Sequence, residues 1–100
     1  MQKLVSDNLT EIKRLFVLYG AQKVYLFGSA AVGDFNNNSD IDFLFSFPQS
    51  MHYEDYANNY FSLLDDLQNL LKRDVDLVAE KTLQNPFLIQ KIDSQKIQLI

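Results

Sequence analysis

The sequence predicts an α+β (or α/β) fold: a mixed β-sheet with helices packed mainly on one face. Two observations carry this expectation. Short β-branched and aromatic runs alternate with helical periodicities in the order α-β-(short α)-β-α-β-α-β. One long stretch, residues 53–72, is apolar over roughly half its helical circumference, more than the ~100° needed to face one core. The length, 100 residues with 47% apolar and 22% charged content, suits one core and leaves no room for a second. A single domain over 1–100 is therefore expected.

Leu9, Ile12, Leu15, Phe16 and Tyr19 recur at helical spacing before Gly20, predicting an amphipathic helix over 6–19. "KVYLF", 23–27, lies between Gly20 and Gly28 and reads as a short buried strand. Between Ser29 and Gly33 there is space for about one helical turn. "GDFNNNSD" is a polar loop of turn-forming residues. "IDFLFSF", 41–47, is the clearest strand and is closed by Pro48. On the long helix, Tyr56, Tyr60, Leu63, Leu64, Leu67, Leu70 and Leu71 share one arc, extended by Ala57 and Phe61. A helix sunk deeply against the sheet explains that arc; a Tyr-rich edge that also meets another protein is the alternative. "DVDLVAE", 74–80, is a third strand, Pro86 starts a helix to about Ile92, and 96–100 alternates like an edge strand. His52 falls in the loop before the long helix, as a surface residue.

Composition excludes several function classes. There is no cysteine, which removes disulfides, thiolate zinc sites and cysteine nucleophiles. A net charge of −4 argues against a polynucleotide substrate, because phosphate neutralisation normally needs a basic face. Lys13-Arg14 and Lys72-Arg73 read as solvated helix ends. The first residues are too interrupted by charge for a signal peptide, and no apolar run approaches the ~20 residues of a membrane span. A soluble cytoplasmic protein without membrane contact is expected.

The chemistry concentrates in "LFGSAAVGDFNNNSDIDFLF", 26–45. Asp40 and Asp42 sit two apart at the head of a strand, so they project from one face about 6.6 Å apart along the chain. Each carboxylate, if buried, costs several kcal/mol unless compensated. Either one holds a proton or a cation sits between them. Magnesium suits such a site, since it takes one or two carboxylates and completes its shell with water and phosphates; a pair of ions would steady both the attacking and the leaving oxygen. Gly28-Ser29 closes the preceding strand and opens a helical turn. There the glycine admits a phosphate to the backbone, and N–H groups and the serine hydroxyl donate to it. On the next strand Asp74 and Asp76 share a parity. Asp76, between Val75 and Leu77, extends the acidic cluster and is a reasonable general base, whereas Asp74 lies at the strand entrance and reads as solvated.

"GSAAVGDFNNNSDIDFLF" followed by "VDLV" resembles the minimal nucleotidyltransferase (MNT) branch of the DNA polymerase β-like superfamily. The shared pattern is Gly-Ser, a second Gly, Ser-Asp-x-Asp and a third Asp on a later strand, and the resemblance covers nearly the whole chain. It implies a small polymerase β-like nucleotidyltransferase core. It further implies that Gly28 and Ser29, with Ser39, hold the nucleotide, that Asp40 and Asp42 bind two Mg²⁺ ions, and that Asp76 is third carboxylate and base. Many members carry arginine just before the second glycine, and often two residues earlier; here those positions are Val32 and Ala30.

Proteins of this type are typically the antitoxin partner of a HEPN-domain ribonuclease toxin and transfer AMP from ATP to a toxin tyrosine. The resemblance thus implies a Mg²⁺-dependent protein adenylyltransferase with a HEPN toxin as partner and ATP as substrate. The alternatives are a degenerate module that silences its partner by occlusion, favoured by the missing arginines, and an aminoglycoside-type small-molecule nucleotidyltransferase, disfavoured by the lack of an acceptor domain.

Overall fold

The computed structural model describes residues 1–33, 36 and 38–100. Among them are α1 (Lys3–Asp7), α2 (Leu9–Leu18), β1 (Lys23–Phe27), α3 (Ser29–Val32), β2 (Ile41–Ser46), α4 (Tyr53–Leu71), β3 (Val75–Ala79), α5 (Pro86–Gln95) and β4 (Ile97–Gln98). A 3-10 turn at Glu80–Thr82, not anticipated from the sequence, links β3 to α5. The polar loop expected at "GDFNNNSD" includes Asp34, Phe35 and Asn37, which lie outside the described residues.

The strands form one mixed sheet in the order β3-β2-β1-β4. β1 runs antiparallel to both β2 and β4, and β2 runs parallel to β3. A parallel pair needs a long crossover, and α4 supplies it. Alternation gives the sheet two unlike faces. Val24, Leu26, Ile41, Phe43 and Phe45 join Val5, Ile12, Phe16, Leu63 and Leu67 in the main core, where the Phe16 and Phe43 rings meet edge to face at 5.2 Å. The Tyr19 hydroxyl donates to Asp66, and the Asn59 amide donates to the Tyr19 carbonyl, tying the end of α2 to α4. The opposite face carries Tyr25, Phe27, Asp42 and Leu44. α5 serves that side: Ile89 and Ile92 line a hollow with Leu44, and the Lys96 ammonium lies 4.5 Å from the Tyr25 ring centre.

Two expectations needed revision. The helix expected over 6–19 is two helices broken at Asn8, whose side-chain amide donates to the Leu4 carbonyl at 2.8 Å and whose own N–H donates to Val5. Asparagine favours such local bonds over helix continuation, and α1 buries Val5 in the core. Nor is α4 sunk deeply. Only Leu63, Leu67 and Leu71 are buried, while Tyr56, Tyr60, Leu64 and Leu70 are half-buried and Phe61 is 66% exposed. His52 is exposed as expected and caps α4, its Nδ1 accepting from the Glu54 N–H.

The outer edge of β3 is capped by side chains. The Ile41 N–H reaches the Asp74 carbonyl, so Asp74, Asp76 and Val78 turn their backbone groups toward β2, and Val75, Leu77 and Ala79 turn theirs outward. The Val75 N–H donates to Gln68 Oε1 at 3.2 Å, the Leu77 carbonyl accepts from the Tyr60 hydroxyl at 2.7 Å, and the Ala79 carbonyl accepts from the Thr82 hydroxyl at 2.7 Å.

Candidate active site

Asp42 is a residue of β2, flanked in register by Phe27 of β1 and Asp76 of β3. Paired residues on neighbouring strands project from the same face about 4.8 Å apart, so the pairing brings Asp42 and Asp76 together. Asp40 lies one residue ahead of β2 with the parity of Asp42. The sequence predicts Asp42 and Asp76 inside buried strands, with Asp40 at the head of the first. Instead Asp40 is exposed before the ladder begins, Asp42 alone is half-buried, and Asp76, although inside β3, is exposed. Asp74 is exposed ahead of β3, as expected.

Electrostatics singles out Asp42. Burial, then the charge of Asp76, then that of Asp40 push its carboxyl up from 3.8 to about 6. Crowding by like charge and loss of solvent both disfavour the ionised form. Gly28 explains why Asp42 can sit there at all. A Cβ on Gly28 would overlap Asp42 Oδ2 and lie 3.2 Å from Cγ. The Gly28 backbone, at φ 72° and ψ −156°, also occupies a region essentially reserved for glycine. The Gly-Ser turn and the second aspartate are therefore one packed unit. Ser29, half-buried, opens α3, and its carbonyl accepts from the Gly33 N–H.

Ahead of Asp40 the chain makes a tight turn. The Ser39 N–H donates to the Asn36 carbonyl, the Asn36 N–H donates to Ser39 Oγ at 3.1 Å, and the Asn38 N–H donates to Asn36 Oδ1 at 2.8 Å. Ser39 thus shapes the approach to Asp40, its hydroxyl proton still being available as a donor. Arg73, read from sequence as part of a solvated helix end, instead donates to the carbonyls of Asn36 and Ser39 at 2.6 Å each. A guanidine placed immediately before the acid-bearing "DVD" was the available signal. Of the two positions lacking the expected arginine, Ala30 is buried at 0% exposure and Val32 is 48% exposed.

Among the described residues, no group of three or more His, Cys, Asp or Glu side chains forms a ready-made metal cage. Magnesium does not require one, because one or two carboxylates plus water and substrate phosphates complete its shell. The oxygen-only donor set of Asp40, Asp42 and Asp76, with like-charge strain on Asp42, fits that ion. Among the described residues the site is an open face, with Asp40 and Asp76 exposed. Clefts of about 400 and 420 Å³ that share Tyr56 in their lining are lined by none of these three acids.

Comparison with known proteins identifies the family. A Methanocaldococcus jannaschii protein, provisionally named a protein adenylyltransferase, is 32% identical over 79 residues, covering 79% of this chain and 77% of the relative. A chain of a toxin–antitoxin complex solved with AMP-PNP superposes with a TM-score of 0.74 at 29% identity, covering 93% of this chain and 73% of that one. A chain from a complex of the tri-AMPylated Shewanella oneidensis HEPN toxin with its MNT antitoxin superposes with a TM-score of 0.67 at 26% identity, covering 95% and 71%. The family model described as polymerase beta, nucleotidyltransferase matches residues 10–100. With its Gly-Ser turn packed on a strand aspartate and a third acid in register beside it, the chain belongs to the polymerase beta nucleotidyltransferase family.

Proposed function

We propose that this chain is the antitoxin of a HEPN/MNT pair, a single minimal nucleotidyltransferase domain that transfers AMP from ATP to a tyrosine hydroxyl of its toxin. The observation that carries the reading is the pairing of Asp42 with Asp76 on an open face, beside a Gly-Ser turn that only glycine can form. The adenylyltransferase name of the archaeal relative and the AMPylated toxin in the Shewanella complex support the choice of reaction and acceptor. The AMP-PNP complex supports a nucleoside triphosphate as donor.

In this reading Gly28 and Ser29 receive the phosphates, with the Ser39 hydroxyl as a further donor. Asp40, Asp42 and Asp76 would hold Mg²⁺, two ions in the full site. When bound, Mg²⁺ neutralises the phosphates and the charge that develops on the leaving group. The acceptor oxygen forms a bond to the α-phosphorus as the bond to the β-phosphate oxygen breaks, releasing pyrophosphate, and Asp76 takes the hydroxyl proton. The open face leaves room for a protein acceptor. Among the described residues no helix is long and apolar enough to cross a membrane, and ATP supply fits the cytoplasm.

The test is transfer of α-phosphate label from ATP to the co-purified toxin. Asp76→Asn is expected to keep most of the nucleotide affinity and lose about 10²–10⁴-fold in transfer, because a base acts mainly in the transition state. One observation favours occlusion as the second reading: neither Ala30 nor Val32 supplies a cation. A wild-type protein that silences its toxin without labelling it would establish occlusion instead.

A further inference from the structure

We propose that Arg73 is a positioning residue that clamps the turn leading into Asp40 against the start of β3, fixing the position of Asp40 relative to Asp76. The inference rests on the nucleotidyl-transfer reading and adds to it a residue outside the Gly-Ser and Asp-x-Asp pattern.

Asp40 precedes the first laddered residue of β2, Ile41, so the β-ladder does not itself hold it. The hold comes from the Asn36–Ser39 turn. The Asn36 carbonyl accepts both the Ser39 N–H and the Arg73 guanidinium, and the Ser39 carbonyl accepts the same guanidinium nitrogen. Arg73 stands between α4 and Asp74, three positions before Asp76. One side chain therefore links the backbone before Asp40 to the backbone before Asp76. Charge-assisted bonds from a planar guanidinium are short and directional, and both bonds here measure 2.6 Å. The Arg73–Asn36 bond is solvent-exposed and the Arg73–Ser39 bond part-buried, so water can take over much of the lost bonding. Losing the clamp loosens the turn more than the fold.

The experiment uses the full chain as wild type, Arg73→Gln and Arg73→Lys. Amide hydrogen exchange is read along the chain, and binding of Mg²⁺–AMP-PNP is read by calorimetry. In Arg73→Gln, amides of 38–42 are expected to exchange about 10-fold faster with those of β1 and β4 unchanged, and AMP-PNP binding to weaken about 10-fold. Arg73→Lys keeps the charge without the reach and planarity of the guanidinium and falls between. Unchanged exchange at 38–42, with wild-type binding intact, overturns the clamp. A uniform rise across the whole sheet also overturns it, since Arg73 would then be a general brace. Wild-type protein that binds no Mg²⁺–AMP-PNP overturns the transfer reading and, with it, any role of the clamp in nucleotide binding; the exchange arm reads the turn independently.

Discussion

Replacing Asp42 by asparagine should make the ligand-free protein more stable. The Asp42 carboxyl is raised from 3.8 to about 6 by burial and by the charges of Asp76 and Asp40. At ~1.4 kcal/mol per pH unit, ionising it in the folded chain costs up to about 3 kcal/mol relative to the unfolded chain. Asp42 is only half-buried, so solvent screening reduces this to about 1–2 kcal/mol. The sign follows from a raised folded-state value. The stability this group contributes is full below about pH 3.8 and is lost as pH rises through about 6. Urea unfolding in EDTA at several pH values measures it. Asp42→Asn should exceed wild type by about 1–2 kcal/mol at pH 8, with the gap closing towards pH 4. Saturating Mg²⁺–AMP-PNP should reverse the order, because a ligand at a hundredfold excess over its Kd adds about 2.7 kcal/mol to the form that binds it. If Asp42→Asn is the less stable protein at pH 8 without ligand, the carboxylate is favourably paired and the like-charge argument fails.

Gly28→Ala meets both a glycine-only backbone conformation and the Asp42 carboxylate; we expect a loss of about 1–3 kcal/mol in urea unfolding and a still larger proportional loss of AMP-PNP affinity. Tyr60→Phe removes the bond to the Leu77 carbonyl and should cost about 1 kcal/mol, whereas Phe61→Ala, at 66% exposure, should stay within about 0.5 kcal/mol of wild type and is the change on that edge to score by toxin pull-down. Ala30→Arg forces a guanidinium into a fully buried position and should abolish the cooperative thermal transition. Val32→Arg, on the exposed side of α3, should leave that transition within a few degrees of wild type and tighten AMP-PNP binding.

Most of the fold was legible because each strand is short, apolar and bounded by glycine, proline or polar turns: "KVYLF" coincides with β1 and "DVDLVAE" contains β3 with one residue to spare at each end. The acids were legible as a set because the period of two places Asp40 with Asp42 and singles out Asp76. Their burial was not, since exposure depends on which face the helices cover, and α4 and α5 leave the acid end of that face open. The break at Asn8 escaped notice because helical spacing of apolar residues continues through it, and only the side-chain bond to Leu4 ends the first helix. Arg73 escaped for a related reason. Its partners are backbone carbonyls more than a helix away, so its place before "DVD" hints at a role without naming them.

β3 is a short apolar strand at the rim of its sheet, the kind of edge that invites another chain to pair with it. Gln68, Tyr60 and Thr82 each occupy one outward-pointing backbone group, so an incoming strand finds that row of donors and acceptors interrupted at Val75, Leu77 and Ala79. The same side chains that finish the hydrogen bonding of β3 thereby guard the protein against sheet-to-sheet aggregation. They also leave a strand of another chain no continuous template along β3.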